Sequence, residues 1–104
     1  MKYTHTLEKS LDIVSERGKQ YGDVSFGMEK AAKIASQFLN RHVTPYEVCI
    51  IMMSIKASRI ANNESHHDSW VDMLAYASFA SSFVAEDADI VNMANKLKTV
   101  QKQT

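Results

Sequence analysis

The chain has 104 residues and a mass of 11.7 kDa, which fits one domain spanning residues 1–104. Its 12 basic and 12 acidic side chains balance, which argues against a DNA-binding protein or a polybasic membrane-binding one. The single cysteine, Cys49, excludes an internal disulfide and a cysteine-only zinc site. The longest apolar run, residues 48–53, is far shorter than the roughly 20 residues of a membrane span. We therefore expect a cytoplasmic protein with no membrane partner.

Three glycines and one proline predict a few long helices rather than a sheet. The first helix is predicted over residues 6–17, with Gly18 as its C-cap and a loop over residues 18–23. A second periodic segment begins near Phe26 and ends at residues 40–42. These spacings predict two helices in the first 40 residues.

The clearest local signal is a capping box at the start of the third helix. Thr44 is the predicted N-cap, Pro45 stands at the first helical position, and Glu47 stands at N3. This helix is predicted over residues 45–61. Residues 48–53 are apolar on every side, which predicts burial on more than one face and a central position in the core.

The remainder of the chain predicts one or two further helices. A second cap at Ser65, with Asp68 at N3, predicts a fourth helix that ends near residue 84. Acidic residues 86, 87 and 89, followed by Lys96 and Lys98, suit the dipole of a separate fifth helix, with residues 101–104 as a frayed tail. The predicted fold class is all-α, a four- to five-helix bundle around a central antiparallel hairpin of helices three and four.

Four charged side chains are predicted to face one another across this hairpin: Lys56, Arg59, Asp68 and Asp72. Arg59 and Asp68 are each about one helical turn from the connection, while Lys56 and Asp72 are each about two turns away. One interpretation is two interhelical salt bridges that set the register. The other is a phosphate and metal site, in which the cations hold phosphate oxygens and the two carboxylates share Mg²⁺.

The remaining residues that could act as metal ligands or as a nucleophile are better interpreted as structural residues. His66 and His67 are adjacent, so their side chains point about 100° apart on a helix and do not suit one shared zinc ion. Cys49 lies in the apolar run, where a thiol behaves as a small hydrophobic group rather than a nucleophile. An alanine- and serine-rich face on the fourth helix, with Ala75, Ser78 and Ser82, predicts a dimer or higher homo-oligomer.

Four strings of the sequence resemble an uncharacterised family of small phage and prophage proteins, over residues 7–83. They are RGKQYGD at 17–23, TPYEV at 44–48, IMMSIKASR at 51–59 and HDSWVDMLAYA at 67–77. The same strings are more distantly similar to the MazG-like all-α nucleoside triphosphate pyrophosphatases and to phage nucleotide-modification-associated domains. Those proteins share a Tyr-Gly loop, a Lys-x-x-Arg helix and an Asp-x-x-x-Asp helix. The resemblance implies nucleotide-related work in the host-cell cytoplasm.

The resemblance also implies roles for individual residues. Lys19 and Tyr21, in the Tyr-Gly string, join Lys56 and Arg59 as candidate phosphate- or nucleotide-binding residues. Asp72, with Asp68 before it, resembles the second acidic motif by which MazG-like enzymes hold magnesium. The first motif, Glu-Glu-x-x-Glu, is missing, and only Glu47 stands in for part of it, although its carboxylate is needed by the capping box.

Three hypotheses about function follow. The first is a phage-type protein that binds a nucleotide or signalling nucleotide at the hairpin, with weak Mg²⁺-dependent pyrophosphatase activity as an extension. The second is a non-enzymatic module that binds a host or phage protein. The third is a purely structural oligomer.

Overall fold

The described residues form four α-helices. The structure, a computed structural model, describes residues 2–21 and 23–103, with the side chains of residues 3–19 and 23–98. The helices are α1 (Lys2–Tyr21), α2 (Val24–Leu39), α3 (Pro45–Asn62) and α4 (His67–Gln103), and none of the described residues lies in a strand. The prediction of an all-α fold is confirmed.

The first helix is longer than its sequence signals indicate. The prediction that it ends at Arg17 before a loop is wrong, because α1 continues through Gly18 and Lys19 to Tyr21. A single glycine inside a helix costs only about 1 kcal/mol relative to alanine, and Lys19 in the last turn is favoured by the helix dipole. The helix therefore continues past its glycine, and the backbone of the predicted loop residues 18–21 is helical.

Both ends of α2 are closed by neighbouring residues, through a side chain at its start and through the backbone at its end. Asp23 caps its start, because the Asp23 carboxylate accepts a hydrogen bond from the Ser25 N–H at 2.9 Å. Asn40 ends it in the left-handed region at φ 52°, which asparagine tolerates better than most residues. The Ser36 hydroxyl then accepts a hydrogen bond from the Val43 N–H at 2.9 Å. This confirms that the second helix ends just before residues 40–42.

The predicted capping box of α3 is present. The Glu47 N–H donates to the Thr44 hydroxyl, and the Thr44 N–H donates to the Glu47 carboxylate, both at 3.1 Å. At the start of α4 the predicted cap is wrong, since the Ser65 hydroxyl donates instead to the side chain of Asn63 at 2.8 Å. The helix begins at His67, with Asp68 in its first turn.

The predicted fourth and fifth helices are one helix of 37 residues, α4. The prediction of a break near residue 85 is wrong. The last glycine of the chain is Gly27 and its one proline is Pro45, so no helix-breaking residue lies within α4. Acidic residues such as Glu86 are tolerated inside an exposed helix, so the charge order alone does not start a new one. Residues 101–103, predicted as a frayed tail, continue the helical backbone.

The core is small and lies between α3 and the first half of α4. Its buried centre is Cys49, Ala80 and Phe83, against which Met28 and Phe79 pack. A buried hydrogen bond of 3.0 Å from the Ser10 hydroxyl to the Val71 carbonyl joins α1 to α4. α4 contacts both α3 and α1, and α2 contacts α3.

One face of α3 is open to solvent. The prediction that residues 48–53 are buried on more than one face is wrong, because Ile50 and Ile51 remain 39% and 51% exposed. Ala75, expected on the association surface, is buried inside the chain, whereas Ser78 and Ser82 are exposed.

The molecule is elongated. Its radius of gyration is 17.4 Å, whereas a compact chain of this length has about 13 Å. The extension comes from the second half of α4, where every residue from 84 to 98 is exposed. Within the described part of the chain, the helices lack the length or the apolar character needed to cross a bilayer.

Candidate functional site

The structure brings two of the four predicted hairpin charges together. The Lys56 Nζ atom lies 3.0 Å from the Asp72 Oδ2 atom, and the two side chains are only 13% and 18% exposed. Because both charges are largely removed from water, losing either partner leaves an uncompensated charge and costs about 2–3 kcal/mol. This ion pair links α3 to α4.

The other two hairpin charges lie apart. Arg59 and Asp68 are both exposed, and among the described residues neither takes part in an ion pair. Arg59 lies beside Ile51 and Ile55 on the open face of α3, which turns its side chain away from the Lys56 contact. Lys56 and Arg59 do not face the same neighbour, because their separation of three residues places their side chains about 60° apart around the helix.

Glu47 is committed to the start of α3. Its carboxylate accepts the Thr44 N–H and lies 3.3 Å from the Arg41 guanidinium. The Thr44 backbone hydrogen bond, followed by the hydrogen bond and charge of Arg41, lowers the pKa of Glu47 from its usual value. Glu47 is nine residues before Lys56, or about 13 Å along the helix, so it lies far from the ion pair with Asp72.

The predicted metal ligands are therefore not gathered. Asp72 is paired with Lys56, Asp68 is exposed in the first turn of α4, and Glu47 lies at the other end of α3. Among the residues for which coordinates are described, no group of three or more His, Cys, Asp or Glu side chains has the arrangement of a metal site.

His66, His67 and Cys49 each contact other residues of the fold rather than form a metal or catalytic site. The His66 ring nitrogen Nδ1 lies 2.7 Å from the Ser69 hydroxyl, whereas the His67 ring stacks on His5 at 5.7 Å. The two adjacent histidines thus point to different neighbours. Burial raises the pKa of the Cys49 thiol, which is fully enclosed in the core and kept neutral there.

A cavity of about 260 Å³ lies between α1, the start of α2 and the first half of α4. The residues that line it are Ile13, Val14, Arg17, Asp23, Val24, Phe26, Gly27, Met28, Asp72, Ala75, Tyr76 and Phe79. Most of this wall is apolar, and the polar groups are one guanidinium, two carboxylates and one phenol. Ligand sites in proteins commonly combine apolar walls with a few such polar groups.

Asp72 connects the cavity with the ion pair. It was predicted from sequence, whereas the other polar wall residues, Arg17, Asp23 and Tyr76, were not. Arg17 and Asp23 are the two ends of the RGKQYGD string, from which only Lys19 and Tyr21 were predicted as binding residues, so the same string contained the signal that could have identified them. Arg17 is exposed and forms no ion pair with the described residues.

The other two predicted nucleotide-binding residues lie at the end of α1. Lys19 is exposed in the last turn of the helix. Tyr21 is the last residue of α1, and its side chain lies outside the described part of the structure. Their roles stay predictions.

Sequence comparison connects this domain with a known family. The model of a domain of unknown function, DUF6378, matches residues 5–84. The chain belongs to this family. It is also similar to the Gene 55 protein of Mycobacterium phage D29, with 29% identity over 72 residues, which is 68% of this chain and 48% of that protein. The chain thus spans about half the length of the curated relative it matches, and no solved structure is significantly similar to it.

These similarities confirm the prediction of an uncharacterised phage protein family. The matched range of the DUF6378 family includes every residue of the cavity and the Lys56–Asp72 ion pair. It ends at Val84, where the exposed half of α4 begins.

Proposed function

We propose that this protein binds a nucleotide, or another small ligand with an aromatic ring and a phosphate, in the cavity between α1, α2 and α4. The observation that carries the proposal is the composition of the cavity wall, in which apolar side chains surround a few polar groups of both signs. Asp72, which the sequence already indicated, is one of them.

The apolar part of the wall suits a flat ring. Phe79 and Tyr76 form an edge-to-face pair at 6.1 Å on α4, and Phe26 lies across the cavity on α2. Aromatic and aliphatic walls favour a ring by removing apolar area from water. The Asp72 carboxylate accepts hydrogen bonds only, so it suits a base that presents ring or amino N–H groups.

The phosphate requires a cation near the cavity. Arg17 is suited to this role because a guanidinium donates two parallel hydrogen bonds to phosphate oxygens. Its side chain lines the cavity and has no acidic partner among the described residues. Lys19 and Tyr21 follow Arg17 at the end of α1, and we include them in the proposed phosphate site. Arg59, on α3, lies outside this site.

Binding is proposed without bond cleavage as its main activity. The candidate magnesium ligands are held apart by the Lys56 ion pair and the Thr44 capping box, so the donor set does not fit a metal site built by the protein alone. As part of this proposal, the fold is MazG-like and has α3 and α4 as a central antiparallel hairpin. Both features are supported by the shared motifs, the short connection of residues 63–66 and the Lys56–Asp72 contact.

Calorimetric titration with a panel of nucleotides, each with and without Mg²⁺, tests the proposal. We expect at least one nucleotide to bind without the metal, and Arg17→Ala to weaken it about 10- to 100-fold. Arg59→Ala is the matched control, because it removes the same group from the open face of α3 and should leave affinity unchanged. Affinity lost with Arg59→Ala and retained with Arg17→Ala would move the site back to the hairpin charges.

A second candidate function is the binding of a host or phage protein without catalysis. It is favoured by large apolar side chains on the surface of α2, where Phe38 is 86% exposed and Ile34, one turn away, is 47% exposed. Absence of binding by every nucleotide in the panel would leave this candidate as the better explanation.

A further inference from the structure

The second half of α4 is an amphipathic helix that the rest of the chain does not cover. We define the proximal half of α4 as residues 67–83 and the distal half as residues 84–103. Ile90, Met93 and Leu97 form one apolar stripe on the distal half and are 63–65% exposed. Their spacing of three and four residues is the a and d pattern of a helix that pairs with another helix.

The sequence of the distal half gives it little intrinsic helical stability. It contains several weak helix formers, among them Asp87, Asp89, Val91 and Asn92. Isolated helices of this length are marginal in water even when they are rich in alanine, and most helical stability in proteins comes from packing of the apolar face. Within the described chain, no other helix packs on the stripe of Ile90, Met93 and Leu97.

The chain as a whole exposes more surface than a compact monomer of its mass. The chain exposes 8040 Å², whereas a compact monomer of its mass exposes about 5,900 Å². The excess is about 2,000 Å², and a specific protein interface takes about 800 Å² from each partner. The excess exposed by the chain is therefore of the size that one interface requires, and the distal half, exposed at every residue from 84 to 98, contributes to it.

The charges beside the stripe match those of the same segment in reverse order. On one flank, Asp89 precedes the stripe centre and Lys96 follows it. On the other flank, Asp87 and Lys98 have the same relation. When two copies of the segment are placed antiparallel about a two-fold axis near residues 92 and 93, Asp89 and Asp87 each face the lysine on the same flank of the other copy, whereas Glu86 faces residue 99.

We infer that the distal half of α4 pairs antiparallel with the distal half of a second copy of this chain. The interface has Ile90, Met93 and Leu97 at its centre, and Asp89 of each copy faces Lys96 of the other. Both flanks select this same register, and the arrangement is isologous, so it closes as a dimer. The inference does not depend on nucleotide binding, because the surface lies outside the cavity.

Light scattering after size-exclusion chromatography, over a series of micromolar concentrations, tests the pairing. We expect twice the 11.7 kDa chain mass at the upper concentrations. Asp89→Lys and Lys96→Glu each place like charges at both symmetric contacts, and each should raise the dimer dissociation constant roughly fivefold to tenfold. The double variant Asp89→Lys with Lys96→Glu should restore the wild-type constant. Glu29→Lys on α2 is the control of equal charge change.

A second pair of variants tests the stripe itself. Met93→Glu places a charge at the interface centre and should abolish the dimer, whereas Ala88→Glu, on the opposite side of the helix, should not. Both positions are exposed in the single chain, so circular dichroism should report an unchanged proximal fold. A monomer at every concentration, or a dimer that ignores the Asp89 and Lys96 exchanges, would overturn the inference.

Discussion

The two halves of α4 share one backbone helix and differ in almost everything else. The proximal half packs on α1 and α3 and contains Val71, which is fully buried, and Phe83, which is 7% exposed. In the distal half no residue from 84 to 98 is buried. The family match ends at the boundary between the halves. The comparison indicates that the helix serves the domain fold in its first half, whereas its second half contributes nothing to the core.

The sequence patterns of the halves reflect these different surroundings. The proximal half has small residues and no single apolar stripe, as expected for a helix with neighbours on more than one side. The distal half has one narrow stripe, at Ile90, Met93 and Leu97, which suits one neighbouring helix. A narrow stripe in an exposed helix therefore points to a different kind of contact from that of the core.

A matched pair of valine substitutions should separate the halves most strongly. Val71→Asp places a charge in the closed core and should reduce the free energy of unfolding by about 4 kcal/mol or more, which is enough to prevent stable folding. Val91→Asp makes the same change on the exposed side of the distal half and should alter it by about 0.5 kcal/mol or less. Urea denaturation followed by circular dichroism measures both. Equal losses would show that the distal half is also packed within its own chain.

The ion pair that holds the proximal half against α3 should have the next largest effect. Lys56→Ala and Asp72→Ala should each reduce the free energy of unfolding by about 2–3 kcal/mol, because the remaining charge is left poorly hydrated. The double variant should lose less than the sum of the two, with a coupling energy of about 1–3 kcal/mol in a double-mutant cycle.

The corresponding cycle on Arg59 and Asp68, which the structure does not pair, is the control. Its coupling should be close to zero. A large coupling there, and none between Lys56 and Asp72, would contradict the geometry described above.

The sequence predicted those features that depend on a few neighbouring residues. The capping box of Thr44 and Glu47 is an example, since a spacing of three residues is sufficient to close it. Gly18 and Glu86 were misleading for the opposite reason, because a local signal for a helix end is weak when no steric obstacle stops the helix. The low helix propensity of Gly18 and the charge signal at Glu86 were each too small to end a helix that continues on both sides of them.

The candidate site was only partly predictable because it depends on contacts between distant residues. Asp72 was identified from its spacing, and Lys56 from its position across the connection, but the sequence does not specify which of Lys56 and Arg59 faces α4. The cavity is formed by α1, α2 and α4, so Arg17 and Tyr76 meet only after these helices have packed. No periodicity within one helix indicates that meeting.

The smallest expected effect is a pH dependence of the free energy of unfolding that comes from Glu47, at the start of α3. The proximal half of α4 packs against this helix. The pKa of Glu47 is lowered in the folded protein by the Thr44 N–H and by Arg41, so the ionised carboxylate favours folding. This contribution is present above the usual glutamate pKa and is lost as the pH falls through the lowered value. Glu47→Gln retains the side-chain oxygen for the capping box but removes the charge. The stability difference between wild type and Glu47→Gln should therefore be greatest near neutral pH and should shrink on acidification.

Urea denaturation at a series of pH values between neutrality and strong acid measures this difference. The matched control is Glu29→Gln on α2, whose carboxylate belongs to no capping box, and its difference from wild type should not follow the same course. Because residues 84–98 of the distal half are all exposed, hydrogen exchange of their amides should be little affected by Glu47→Gln, whereas amides of the proximal half should exchange slightly faster near neutral pH. Faster exchange confined to the distal half would contradict the division of α4, since it would connect the start of α3 with the exposed segment rather than with the buried one.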